Sequence, residues 1–150
     1  MKRSVAIALV FIWIGFVCAI SFMEAWLKFQ APGVSVGIGL GIGRLVFGAL
    51  NKVEWGLFLI SAVCLFPWRH ERQAVQGLIL ALCIILLAQT FWMLPVLDAR
   101  AELHITGAPV PSSNIHFYYV GLEIIKVIGL VFVGMGLLDK PLVLGIKKSL

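Results

Sequence analysis

Four residues in the last third of the chain have types and spacing that can do chemistry together: His116, Tyr119, Glu123 and Lys126. Steps of three, four and three place them on one face of a helix with about 3.6 residues per turn. Gly129 and Val133 continue that stripe. An imidazole, a phenol, a carboxylate and an ammonium on one face can relay protons, help hold a cation, or pair with groups from other segments. The wider stretch 94–126 adds Asp98, Arg100, Glu102 and His104. Glu24, Glu54 and Gln89 lie at the ends of apolar runs or inside them.

Those polar groups stand out because the rest is oil. Of 150 residues, 61% are hydrophobic and only 13% charged, too few charges to cover the surface of a soluble domain. So apolar a chain is not disordered either. One membrane domain, with the lipid bilayer as its partner, is the expectation. The net charge of +5 does not point to nucleic acid, because the cations flank apolar runs instead of forming a phosphate-binding face. Cys18, Cys64 and Cys83 are isolated, with no CxxC, and read as structural thiols.

The elements that must position the polar groups follow from the apolar runs. The fold class is all-α, an integral membrane four-helix bundle with an extra short helix or broken segment after helix 1. Spans are expected at about 5–27, 48–68, 74–97 and 115–138, each near the length that crosses roughly 30 Å of hydrocarbon. The basic head and apolar body of the first run resemble a signal peptide, but the run is long and is expected to stay. Between helices 1 and 2, APGVSVGIGLGIG alternates small and aliphatic residues. Gly37 with Gly41, and Gly39 with Gly43, have the spacing of a smooth helix-packing face. A short interfacial or half-helix is expected over about 38–51, or a continuous run into helix 2. Pro95 is expected to kink or end helix 3, and Ser112, Ser113 or Asn114 to cap helix 4 after a loop from about 103 to 114.

Four crossings put both termini and the RHER turn (69–72) on one side, with seven cations against four opposite and Lys126 within helix 4. The positive-inside rule then places the termini in the cytoplasm, in what reads as a bacterial inner membrane. Glu24, Glu54, Asp98, Glu102, His116, Tyr119, Glu123 and Lys126 would converge on the outer half of the bundle.

A charge at mid-bilayer costs roughly 2.5–3.5 kcal/mol on insertion scales, so Glu123 and Lys126 should face the bundle interior or water. Three readings are open for the cluster. It handles a cation or proton, alone or in aid of a transporter; it fixes helix register as a structural or accessory subunit docking through the glycine face; or it serves a membrane enzyme acting on a lipophilic substrate. No nucleophile–base motif is present, which leans away from an enzyme. Metal ligation would fall to His104 and His116, although the HxxxH and HExxH spacings are absent. No cofactor is specified. Haem is disfavoured because it would need deeper histidines on facing helices. A homo-oligomer or a membrane-protein partner is open. Trp26, Trp55, Trp68, Trp92, Tyr118 and Tyr119 read as an interfacial aromatic belt, and Trp13 alone lies deep in a crossing.

Two blocks, GRLVFGALNKVEWGLFL (43–59) and LPVLDARAEL…IHFYYVGLEIIK (94–126), resemble the small four-helix membrane family typified by transmembrane protein 205, which overlaps domain of unknown function 4149. The matching positions are Gly43, Phe47, Asn51, Glu54, Asp98, Arg100 and His116. The glycine run and the Glu123/Lys126 pair fall outside that pattern. The resemblance implies a four-helix bundle with no established reaction.

Overall fold

A computed structural model describes residues 2–66 and 73–139 of the chain. Among the described residues every regular element is helical. Four helices are long and apolar enough to cross a membrane: α1 (Lys2–Gln30), α2 (Val36–Leu65), α3 (Gln73–Thr106) and α4 (Ile115–Leu138). They run up and down in sequence order, each packing on its neighbour, with α4 closing on α1. The protein is an integral membrane four-helix bundle.

Its core repeats at helical spacing. Ala6, Val10, Trp13 and Val17 on α1 meet Val75, Ile79, Leu82 and Leu86 on α3 and Leu130, Val133 and Leu137 on α4, all buried. Outward faces are just as apolar. Leu45, Phe91 and Phe117 are 77, 75 and 74% exposed, which water would not tolerate across a whole surface but acyl chains do. Close approach needs small residues on α4. At Gly136 an added Cβ would sit 2.7 Å from Val75 Cγ2, so α3 and α4 could not keep their separation. At the end holding the N-terminus, Arg3 donates from Nε and Nη2 to the Leu137 carbonyl, 2.9 and 2.7 Å away. It thereby satisfies one of the carbonyls that the end of α4 leaves open.

Several boundaries differ from the sequence expectation. Of the two expectations after α1, the continuous run holds and the separate short helix does not: after a break at residues 31–35, residues 38–51 form the first half of a 30-residue α2. Its start is set by Ser35, whose hydroxyl accepts from the Ile38 amide. Pro95 does not end the third helix, which runs nine residues beyond Leu97, to Thr106. A π-helical stretch, Gln89–Met93, ends two residues before Pro95 and widens the turn where its ring and missing N–H would otherwise conflict with the preceding backbone. Gly107, at φ 72°, is the true stop. Its amide and that of Ala108 close back on the His104 and Leu103 carbonyls. Asp98 and Glu102 therefore sit on helix, one turn apart, and not in a loop. Helix 4 begins at Ile115 with Asn114 at the cap position, but it is Ser113 whose hydroxyl accepts from the Ile115 amide. The RHER turn, Trp68 and the C-terminal lysines lie outside the described residues.

A second π-helical stretch, Cys18–Glu24, interrupts α1. Both stretches fall at the level where the polar side chains gather, as such bulges often do at functional sites. Ser21 and Gln89, one in each stretch, continue the buried three-and-four stripes of their helices and face the bundle.

Candidate functional site

Lys126 lies at the centre of the bundle with none of its surface exposed. Its ammonium has three protons and meets three oxygens: Glu54 Oε1 at 2.5 Å, Gln89 Oε1 at 2.8 Å and Glu123 Oε1 at 2.8 Å. The Glu54 bond spans the bundle diagonal from α4 to α2. Gln89 also donates from Nε2 to Glu123 Oε1 at 2.6 Å, so this amide serves both charges at once. Around that centre, Trp13 Nε1 donates to Glu54 Oε1 at 2.8 Å and the Ser21 hydroxyl donates to Glu123 Oε2 at 2.9 Å. Every helix supplies at least one member. Glu54, Glu123 and Gln89 are also fully buried. One atom in this network lacks a partner: Glu54 Oε2.

The eight residues expected to converge divide into separate groups. Glu54, Glu123 and Lys126 form the buried network. Glu24 does not reach it, and instead pairs with Lys28 one turn along α1, at 3.1 Å. Asp98 and Glu102 lie further out on α3, where they share Arg44 of α2; its guanidinium bonds Glu102 and stands 3.8 Å from Asp98. Tyr119 is buried against that network with its hydroxyl at Glu123, and its ring meets Phe47 edge to face at a centroid distance of 5.7 Å. His116 stands on the exposed first turn of α4, and His104 is exposed near the end of α3. Among the described residues no three His, Cys, Asp or Glu side chains converge where a metal ion could be held.

A cavity of about 460 Å³, partly open to the outside, joins these groups. All four helices wall it. Phe22, Phe29, Phe47, Leu94 and Leu97 make it mostly apolar, Lys28, Arg44, Asp98 and His116 line it toward the outer end, and Ser21, Tyr119 and Glu123 reach it at its inner end. Glu123 thus belongs to both the dry network and the cavity wall. The glycine run builds one side. Gly39 lies directly beneath the Phe29 ring, where a Cβ would overlap it, and at Gly43 a Cβ would stand 3.2 Å from Lys28 Nζ. Gly37 and Gly41 face Ile105 of α3 instead. Both faces of the run are in use within this chain.

Two members of the network, Trp13 and Ser21, were not singled out as site residues by sequence. The signal for Trp13 was present: a lone tryptophan in mid-crossing carries an N–H that must find an acceptor. For Ser21 the signal was its spacing, since it continues the stripe of Ala6, Val10, Trp13 and Val17. The aromatic-belt reading also needs correction for Tyr119, which is interior, and for Trp55, which donates to Thr90 Oγ1 at 2.8 Å inside a second small network with Asn51.

No protein-family model, curated protein or solved structure matches the chain.

Proposed function

We propose that this small membrane protein handles protons, with Glu54, Lys126 and Glu123 as the binding site and the cavity as its access. Charge counting supports the reading. Two carboxylates and one ammonium, all without exposed surface, sum to minus one. An isolated charge in so apolar a place is very costly, and one bound proton removes it. Glu54 is the seat for that proton, since a neutral carboxyl leaves less unmet demand at its unpartnered Oε2 than a carboxylate would. A metal ion is disfavoured because Lys126 already occupies the position between the acids. The observation that carries the proposal is the double placement of Glu123, in the network and on the cavity wall.

On the positive-inside count the cavity faces away from the cytoplasm, in a bacterial inner membrane. The same reading extends to kinship with the transmembrane protein 205 family: of the positions that carry that likeness, Gly43, Phe47, Asp98 and His116 line the cavity. Whether the chain moves protons alone or serves a transporter partner is decided by reconstituting it alone.

Isotope-edited infrared spectroscopy of the protein in lipid vesicles tests the site. At neutral pH one protonated glutamic acid should be present, should exchange in deuterated water, and should vanish in Glu54→Gln. Finding both acids ionised throughout the working pH range overturns the proposal and leaves the network as a device for fixing helix register.

A further inference from the structure

The cavity holds a cation whose bonding is incomplete. Lys28 has a side chain only 8% exposed, yet a single oxygen, Glu24 Oε2 at 3.1 Å, meets its ammonium. Its other close neighbours are the faces of Phe29 and Phe47, each with its centroid 5.5 Å from Nζ. Ring faces stabilise a cation but do not replace an oxygen as a hydrogen-bond acceptor. Two ammonium protons are therefore left for something else, at the wall of an apolar cavity large enough for a small organic ligand. The other charges on the wall do not compete for them. Asp98 stands 3.8 Å from Arg44, and Glu123 is met by Lys126, Gln89 and Ser21. Glycine at 43 keeps the space beside Nζ clear.

From this geometry we infer that the cavity binds an amphipathic anion, its carboxylate or phosphate head on Lys28 and its apolar body along Phe22, Phe47, Leu94 and Leu97. His116, on the same wall, offers a further donor toward the outer end, whereas Arg44 is taken up by Asp98 and Glu102. The inference shares the cavity with the proton reading but turns on Lys28, whereas the other turns on Glu54 and its bound proton, so oleate binding and the infrared band can fail separately.

The test measures retention of radiolabelled oleate by the full chain purified in a non-ionic detergent, with phosphatidylglycerol and phosphatidylcholine as competitors. Oleate should bind saturably. Lys28→Gln should weaken it at least tenfold, and Lys28→Arg should restore most of it. Lys52→Gln, which removes an exposed cation of α2 outside the cavity, should leave it unchanged. Displacement by phosphatidylglycerol identifies a lipid head group as the natural anion, and resistance to it identifies a free carboxylate amphiphile; either result supports the inference. Equal binding by Lys28→Gln, or equal displacement by phosphatidylcholine, overturns it. Should Lys28→Gln fail to fold, Leu97→Trp narrows the cavity while sparing the lysine, and undiminished binding by that variant overturns the inference as well.

Discussion

Lys126 and Lys28 are both drawn into the bundle, at 0 and 8% side-chain exposure, but their surroundings meet different shares of what an ammonium needs. Three oxygens from three helices close on Lys126. One oxygen and two ring faces hold Lys28 beside open volume. A fully met charge in a dry interior is a joint, because removing it strands the groups around it. A partly met charge beside a cavity is a receptor, because a ligand can complete it. Burial alone does not separate the two; the count of acceptors does.

The largest expected effect follows directly. Lys126→Met leaves Glu54 and Glu123 facing each other without a counter-charge, and breaking a buried pair in this way costs roughly 3–5 kcal/mol. Unfolding by titration with a denaturing detergent should show that loss. Lys28→Met strands only Glu24, which is 24% exposed at its side chain, so it should cost about 1 kcal/mol or less by the same measurement. Equal losses for the two lysines would dissolve the distinction between joint and receptor.

The fold was largely readable before any coordinates. Apolar runs of crossing length have one physical solution in lipid, and their ends follow from glycine, proline and charge. What could not be read was where a helix continues through an apparent break. Pro95 looks like a stop until the π-helical turn before it supplies the room, and that turn has no sequence signature. The site was legible to the same depth. Glu123 and Lys126 declare their shared face by spacing, and lipid forces both inward. That Glu54 would meet them, and Glu24 would not, depends on rotation of α1 and α2 about their axes. A sequence gives depth along a helix far better than rotation about it, and in α1 the π-helical stretch at Cys18–Glu24 changes that rotation just before Glu24.

A smaller contrast lies between the two acids. Both Glu123 oxygens receive donors, Oε1 from Lys126 and Gln89 and Oε2 from Ser21. Glutamine at 123 must place its NH₂ against one of those donors, so Glu123→Gln should cost about 1–3 kcal/mol. At Glu54, Oε1 alone is engaged. Glutamine there keeps the acceptor and puts its NH₂ where no partner stands, mimicking the protonated acid, and Glu54→Gln should cost about 1 kcal/mol or less. The same unfolding titration ranks the pair. A reversed order would move the proton from Glu54 to Glu123.

The weakest effect belongs to the outermost ion cluster, which sharpens the comparison by supplying its exposed limit. Arg44 is 35% exposed at its side chain, and Asp98 and Glu102 are 50 and 54% exposed. None of the three is buried, and exposed pairs of this kind contribute about 0–1 kcal/mol. Arg44→Gln should therefore stay within that range, and the loss should shrink further at high salt, because mobile ions screen exposed charges. Salt reaches neither Lys126 nor its acids, so the cost of Lys126→Met should not move between low and high ionic strength. A salt-dependent Lys126→Met would mean that ions enter the network from the cavity past Glu123, and the surroundings of Lys126 would then be solvated like those of Lys28 instead of dry.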